Sequence, residues 1–69
     1  MPVDWAEQWW VAEAMIKYGG GFCERLGRAL KLADPDNASR IKRAFPEYWE
    51  KYAELAAEKL AEREIKNGE

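Results

Sequence analysis

Few side chains in this sequence are suited to covalent chemistry. Cys23 and Ser39 are the nucleophile candidates, and the chain has no histidine to take a proton from either. Its 13 Asp and Glu residues show no spacing that marks an acid–base pair. With one cysteine and no histidine there is no ligand set for zinc or an iron–sulfur cluster. The expectation is a non-enzyme with no metal, no cofactor and no small-molecule substrate.

Association is the chemistry left, and three groups of residues could support it. The first is aromatic. The chain holds four Trp, three Tyr and two Phe, and Trp10 falls on the polar side of the helix it belongs to. Exposed aromatic anchors are enriched at interface hot spots. Trp10, with the thinly apolar end of the last helix at Leu60, Arg63 and Ile65, is therefore the candidate protein interface. Replacing Trp10 by alanine is expected to weaken association and leave the thermal midpoint nearly unchanged.

The second group is acidic. Glu50, Glu54, Glu58 and Glu62 recur every four residues and form one ridge of a helix. Like charges at this spacing cost about 0.2–0.5 kcal/mol each. The ridge reads as an ordinary solvated face, as a mimic of nucleic-acid phosphates, or as a docking strip for a basic protein that the chain would inhibit. The third group is basic: Arg25, Arg28, Lys31, Arg40, Lys42 and Arg43. A nucleic-acid reading would set these on a phosphate backbone. It is disfavoured by a pI near 5.2 and by the lack of a helix-turn-helix pattern. The plainer reading has the bases facing acidic helices or water.

The elements that position these groups are helical. Asp4 and Glu7 make a capping-box pattern for a first helix over 4–18. Its apolar stripe is Trp5, Trp9, Ala12 and Ile16, widened by Val11, Met15 and Tyr18. Gly19-Gly20-Gly21 ends it, glycine being favoured in the left-handed conformation past a helix end. No strand precedes these glycines and no Gly-Lys-Ser/Thr follows, so a helix–helix corner is expected and not a phosphate cradle. A second helix over 22–33 would bury Phe22, Leu26, Ala29, Leu30 and Ala33, with Cys23 at the edge. Gly27 inside it costs about 1 kcal/mol against alanine, which predicts close approach of a neighbour, such as a Trp ring.

Asp34-Pro35-Asp36 reads as an N-cap, a first-position proline and a first-turn acid. It opens a third helix over 35–44 with Ile41, Ala44 and Phe45 inward. Pro46 breaks or kinks the chain and can open a fourth helix over 46–66, with Tyr48, Trp49, Tyr52, Leu55 and Ala56 as its apolar face. The expected fold is all-α, a small bundle of three to four helices in a single domain, 1–69.

One resemblance adds to this. Gly20-Gly21-Phe22, Leu26-Gly27, Ala29-Leu30, Ala33-Asp34, Asn37 and then Ala44-Phe45-Pro46-Glu47 with Trp49 and Tyr52 form a GGxF…LxxAD…N…AFPExWxxY arrangement. Over roughly residues 18–53 this resembles short open reading frames of tailed bacteriophages and prophages. The first helix matches only in being Trp-rich and amphipathic, and the acidic last helix does not match. The resemblance implies a phage or prophage origin and a bacterial cytoplasm, and it carries no activity and no catalytic residues.

Size bounds the rest. A chain of 69 residues buries only roughly 60% of its unfolded surface. A third of its apolar residues are alanine, and a single cysteine excludes an internal disulfide. Self-association is thus in view on size alone. No segment approaches the ~20 apolar residues of a membrane span, and Asp4, Glu7 and Glu13 spoil a signal peptide. A membrane role through Trp5, Trp9 and Trp10 meets an acidic polar face, wrong for anionic lipid. The expected protein is a cytoplasmic interaction module with a protein partner or a second copy.

Overall fold

The structure, a computed structural model, describes the backbone of residues 3–67 and the side chains of residues 3–62. Four helices follow in order: α1 (Trp5–Tyr18), α2 (Gly21–Leu32), α3 (Pro35–Ala44) and α4 (Pro46–Asn67). There is no strand among the described residues, and the fold is all-α. No helix among them is long and apolar enough to cross a membrane. α1 is central, with α2 against one side and α4 against the other, while α3 bridges α2 to α4.

The helix starts and stops follow local chemistry. Asp34 Oδ1 accepts from the Asn37 backbone N–H at 2.8 Å, and Pro35 occupies the first turn of α3. Pro46 breaks the chain, since Phe45 leaves the helical region (φ −130°, ψ 61°) and α4 starts at the proline.

The first helix start differs from expectation. Asp4 occupies the N-cap position of α1 but its side chain makes no capping bond. Glu7, the expected reciprocal member, is drawn away into a tertiary contact: its Oε2 accepts from Trp49 Nε1 at 2.7 Å and Lys42 Nζ at 3.4 Å. A buried-edge indole N–H needs an acceptor, and Glu7 supplies it.

The glycine corner also corrects the sequence reading. No glycine among the described residues has positive φ. Gly19 and Gly20 are extended (φ −82° and −78°). What Gly19 supplies is space. A Cβ there would stand 2.5 Å from the Met15 carbonyl oxygen and 2.6 Å from Cys23 Cβ.

The buried faces are rotated from those expected. In α1 the buried set is Gln8, Val11, Ala12, Ala14 and Met15, while Trp5 is 70% exposed and Trp9 lies at the margin. The reason lies in α2. A Cβ on Gly27 would be 2.7 Å from Met15 Cβ, 2.8 Å from the Ala12 carbonyl oxygen and 3.1 Å from Ile16 Cγ1. At so close a crossing no indole fits between the helices. The neighbour that Gly27 admits is α1 itself and not a Trp ring. The displaced indoles of Trp5 and Trp9 stack on each other at the edge, centroids 5.8 Å apart, with Lys31 Nζ 4.3 Å over Trp9.

In α2 the buried line is Cys23, Gly27 and Leu30, so Cys23 is central where the sequence set it at the edge. Phe22 and Ala29, expected inside, are exposed. In α3 the buried residue is Ala38, with Ile41 and Phe45 half-buried and Ala44 exposed. Trp49 and Tyr52 anchor α4, with Leu55 and Ala56 packed beside them, and Tyr48 turns outward. Met15, Leu30 and Val11 are the largest fully buried side chains, each contributing about 1.5–3 kcal/mol of burial.

Gln8 is the one buried polar residue of this core. Its Nε2 donates to the Leu30 and Ala33 carbonyl oxygens at 2.9 and 2.8 Å. Those carbonyls close α2, and the Leu30 oxygen also accepts from the Ala33 N–H at 3.1 Å. The amide is therefore satisfied inside the protein.

Gly27→Ala tests the crossing. The helix propensity gain of about 1 kcal/mol is outweighed by an overpacking cost of about 1–3 kcal/mol or more against α1 backbone. Thermal unfolding should show a net Tm loss of several degrees. Gly20→Ala is the control: nothing lies within 4 Å of a Cβ there, and its Tm should stay within a few degrees of the parent.

Candidate protein-docking surface

The side of α2 turned away from α1 carries exposed apolar residues beside Arg25 and Arg28. Phe22, Ala29 and Leu32 lie along it, and Leu32 is 89% exposed while Phe22 is 57% exposed. α3 presents Ile41 and Ala44 beside this face. Between the two helices runs an open groove of about 520 Å³, lined by Ala29, Leu32 and Ala33 on one bank and Ile41, Ala44 and Phe45 on the other. Asn37 and Arg40 complete its edge, and Arg40 is its one charged lining residue.

Phe45 joins the groove to an aromatic corner. Its ring stands 5.6 Å from Phe22, edge to face, and 6.0 Å from Tyr48, while Phe22 and Tyr48 are 6.0 Å apart. Edge-to-face rings within 7 Å hold one another in place. The corner is therefore a surface contributed by two helices, α2 and α4, and by the link between α3 and α4.

The sequence-predicted interface is brought together in part. Trp10 and Leu60 line the same cleft between α1 and α4, with Glu13, Lys17, Ala56 and Lys59 around them. On its other side Trp10 meets Val11, Ala53 and Ala57 in a pocket of about 210 Å³. Trp10 is 38% exposed, so most of its indole packs within the chain. The side chains of Arg63 and Ile65 lie outside the described residues.

The basic set forms no single patch. Lys31 Nζ pairs with Glu13 at 2.6 Å and Lys42 with Glu7 at 3.4 Å, both toward α1. Arg40 pairs with Asp36 at 3.4 Å along α3. Arg25 donates to the Gly21 carbonyl oxygen at 3.1 Å. Among the described residues Arg28 and Arg43 have no carboxylate partner. Exposed pairs of this kind contribute about 0–1 kcal/mol, but they fix where the cations point.

The acidic ridge is fully outward. Glu50, Glu54, Glu58 and Glu62 are all exposed, and Glu62 alone among them has an ion pair within the described residues, to Lys59 at 3.4 Å. Two cations of α4 lie over aromatic faces: Lys51 over Tyr52 at 5.4 Å and Lys59 over Tyr18 at 5.6 Å.

The two nucleophile candidates lie on different helices. Cys23 is buried beside the phenol of Tyr52, and Ser39 is half-buried on α3. Burial, then the hydrogen bond to Cys23, pushes the Tyr52 phenol above its usual range. The Phe22–Leu32 face escaped the sequence reading because α2 carries apolar residues on two sides. The visible signal was Leu32, a large residue off the expected stripe.

Two outcomes follow. Trp10→Ala should cost about 1–3 kcal/mol of stability through lost α1–α4 packing, read as a lower midpoint in urea, which revises the near-neutral expectation from sequence. A tyrosine whose folded pKa is raised loses its proton first in the unfolded chain, so it withdraws stability as pH climbs through about 10 and above. Tyr52→Phe should therefore have a shallower fall in Tm between about pH 9.5 and 11 than the parent. An identical slope in both would remove Tyr52 as its source.

The chain matches no family model, no curated protein and no solved structure.

Proposed function

We propose that this chain is a small, non-enzymatic helical module for protein–protein interaction, of phage or prophage type and acting in a bacterial cytoplasm. Its working surface is the α2–α3 groove with the Phe22–Phe45–Tyr48 corner. The observation that carries the reading is the exposure of two large apolar side chains of α2, Leu32 beside the α2–α3 groove and Phe22 at the aromatic corner. Contiguous apolar surface rimmed by charge marks an interaction site, whereas an isolated exposed leucine would mark nothing. A lone buried thiol also fits a reducing compartment.

The competing nucleic-acid reading loses support because its cations are dispersed. Lys31 and Lys42 are committed to α1 carboxylates, and phosphate binding draws on a clustered basic face. The acidic-ridge reading keeps a specific observation in its favour, the solvent-facing line of Glu50, Glu54 and Glu58.

Phe22→Glu/Leu32→Glu tests the surface. Both side chains are exposed, so the far-ultraviolet circular dichroism should not change. Association, either with itself by light scattering or with a protein retained from bacterial lysate, should weaken at least about tenfold, a loss of about 1.4 kcal/mol. Wild-type protein that stays monomeric and retains nothing, or binding indifferent to both substitutions, would overturn the reading.

A further inference from the structure

The charges around the groove and along α4 are complementary, and among the described residues no cation of α2 or α3 pairs with a carboxylate of α4. Arg40 lines the groove. Arg25 precedes Ala29 by one helical turn, Arg28 precedes Leu32 by one turn, and Arg43 follows Arg40 by about one turn. Asp36, at the edge, is the carboxylate engaged with this set. A groove meeting its own copy face to face would set arginine against arginine, so a self-complementary contact through it is opposed by its own charge. Its occupant should be anionic.

α4 answers that description. Residues 46–69 carry seven acids against four bases, and residues 21–45 carry six bases against three acids. Inside the monomer, Lys31 and Lys42 of the basic segment are paired with α1 and not with the α4 ridge. Lys51 and Lys59 lean over Tyr52 and Tyr18. Glu50, Glu54 and Glu58 are left solvent-facing.

Shape agrees with charge. The groove is lined by Ala29, Ala33 and Ala44 beside Leu32, Ile41 and Phe45, and its small residues allow close approach by a helix that also offers small side chains. Ala57 and Ala61 are exposed on α4 and follow Glu54 and Glu58 by three residues each, which puts small residues and carboxylates on adjoining rows of one helix face.

From this juxtaposition we infer that the α2–α3 groove receives α4 of a second copy of the chain, with Ala57 and Ala61 against the groove alanines and the Glu54/Glu58 row against Arg25 and Arg40. The inference rests on the groove being the working surface, as proposed above. Such a contact joins two different surfaces and is head-to-tail, so association builds short chains or a closed ring and not a two-fold dimer.

Charge reversal tests it with the full chain. Light scattering on the wild type at low salt should show average mass rising with concentration, and the rise should shrink as ionic strength increases. Arg25→Glu/Arg40→Glu gives an acidic groove and keeps the acidic ridge; Glu54→Arg/Glu58→Arg gives a basic ridge and keeps the basic groove. Each variant alone should lose association at least about tenfold. An equimolar mixture should recover it, since each groove then meets a ridge of opposite sign. Circular dichroism checks that both variants remain helical. If either variant unfolds, the salt series on the wild type and on Leu32→Glu carries the decision, with association expected to fall in both.

A wild type that is monomeric throughout at low salt overturns the inference, as does association untouched by either reversal or a mixture that stays monomeric. The two proposals separate cleanly. A monomeric wild type that still retains a Leu32-dependent protein partner ends the second-copy inference and leaves the groove as a docking surface, whereas loss of both ends both.

Discussion

The α1–α2 crossing at Gly27 is the constraint from which the rest of the structure follows. With Met15 Cβ and the Ala12 carbonyl oxygen under 3 Å from where a Cβ would stand, the two helices touch nearly backbone to backbone. That contact decides which residues are inside. Ala12 and Met15 fit, and indoles do not. The tryptophans of α1 are pushed to its flanks, Trp5 and Trp9 to one edge and Trp10 toward α4. Gly19 extends the same logic to the corner, where the Cys23 Cβ and the Met15 carbonyl take up the space a side chain would need.

Close approach on one side leaves the fold to be completed by polar joints. Gln8 reaches across to the Leu30 and Ala33 carbonyls and so ties the start of α1 to the end of α2. Glu7, one residue earlier, takes the Trp49 indole N–H and the Lys42 ammonium, joining α1 to α4 and α3. Two adjacent residues of one helix turn thus reach all three other helices. A buried amide nitrogen with both donors engaged costs little, whereas a buried donor without a partner costs about 1–3 kcal/mol. This makes the register of α1 specific as well as tight.

The helix boundaries were legible because they rest on residues with local effects. Asp34-Pro35 caps and starts α3, Pro46 stops one helix and opens the next, and glycine marks the first corner. The buried faces were less so, for two physical reasons. Aromatic residues weigh heavily in any apolar stripe, yet Trp5 and Phe22 are kept out by the steric demand of the Gly27 crossing, which depends on two helices at once. Gln8 and Glu7 look like surface residues until the carbonyls of α2 and the Trp49 indole are brought to them. The site followed the same pattern. Trp10 and Leu60 do share a cleft, the acidic ridge is outward as its spacing implies, and the Phe22–Leu32 face became visible only once α2 was seen to bury its other side.

The two-sided character of α2 connects the core to the surface. A helix that buries Cys23, Gly27 and Leu30 presents little apolar volume inward, because glycine is at its centre and cysteine is small. Phe22 and Leu32, its largest exposed apolar side chains, sit on the opposite side, beyond the reach of α1 and only partly shielded by α3. Moving them inward would require α1 to back away from Gly27, and this would open the carbonyl contacts of Gln8 and separate Glu7 from Trp49. The exposed face is therefore a consequence of the crossing and not a local defect of packing. A partner that covers Leu32 would supply about 1.5–3 kcal/mol of burial that the monomer has no geometry to collect.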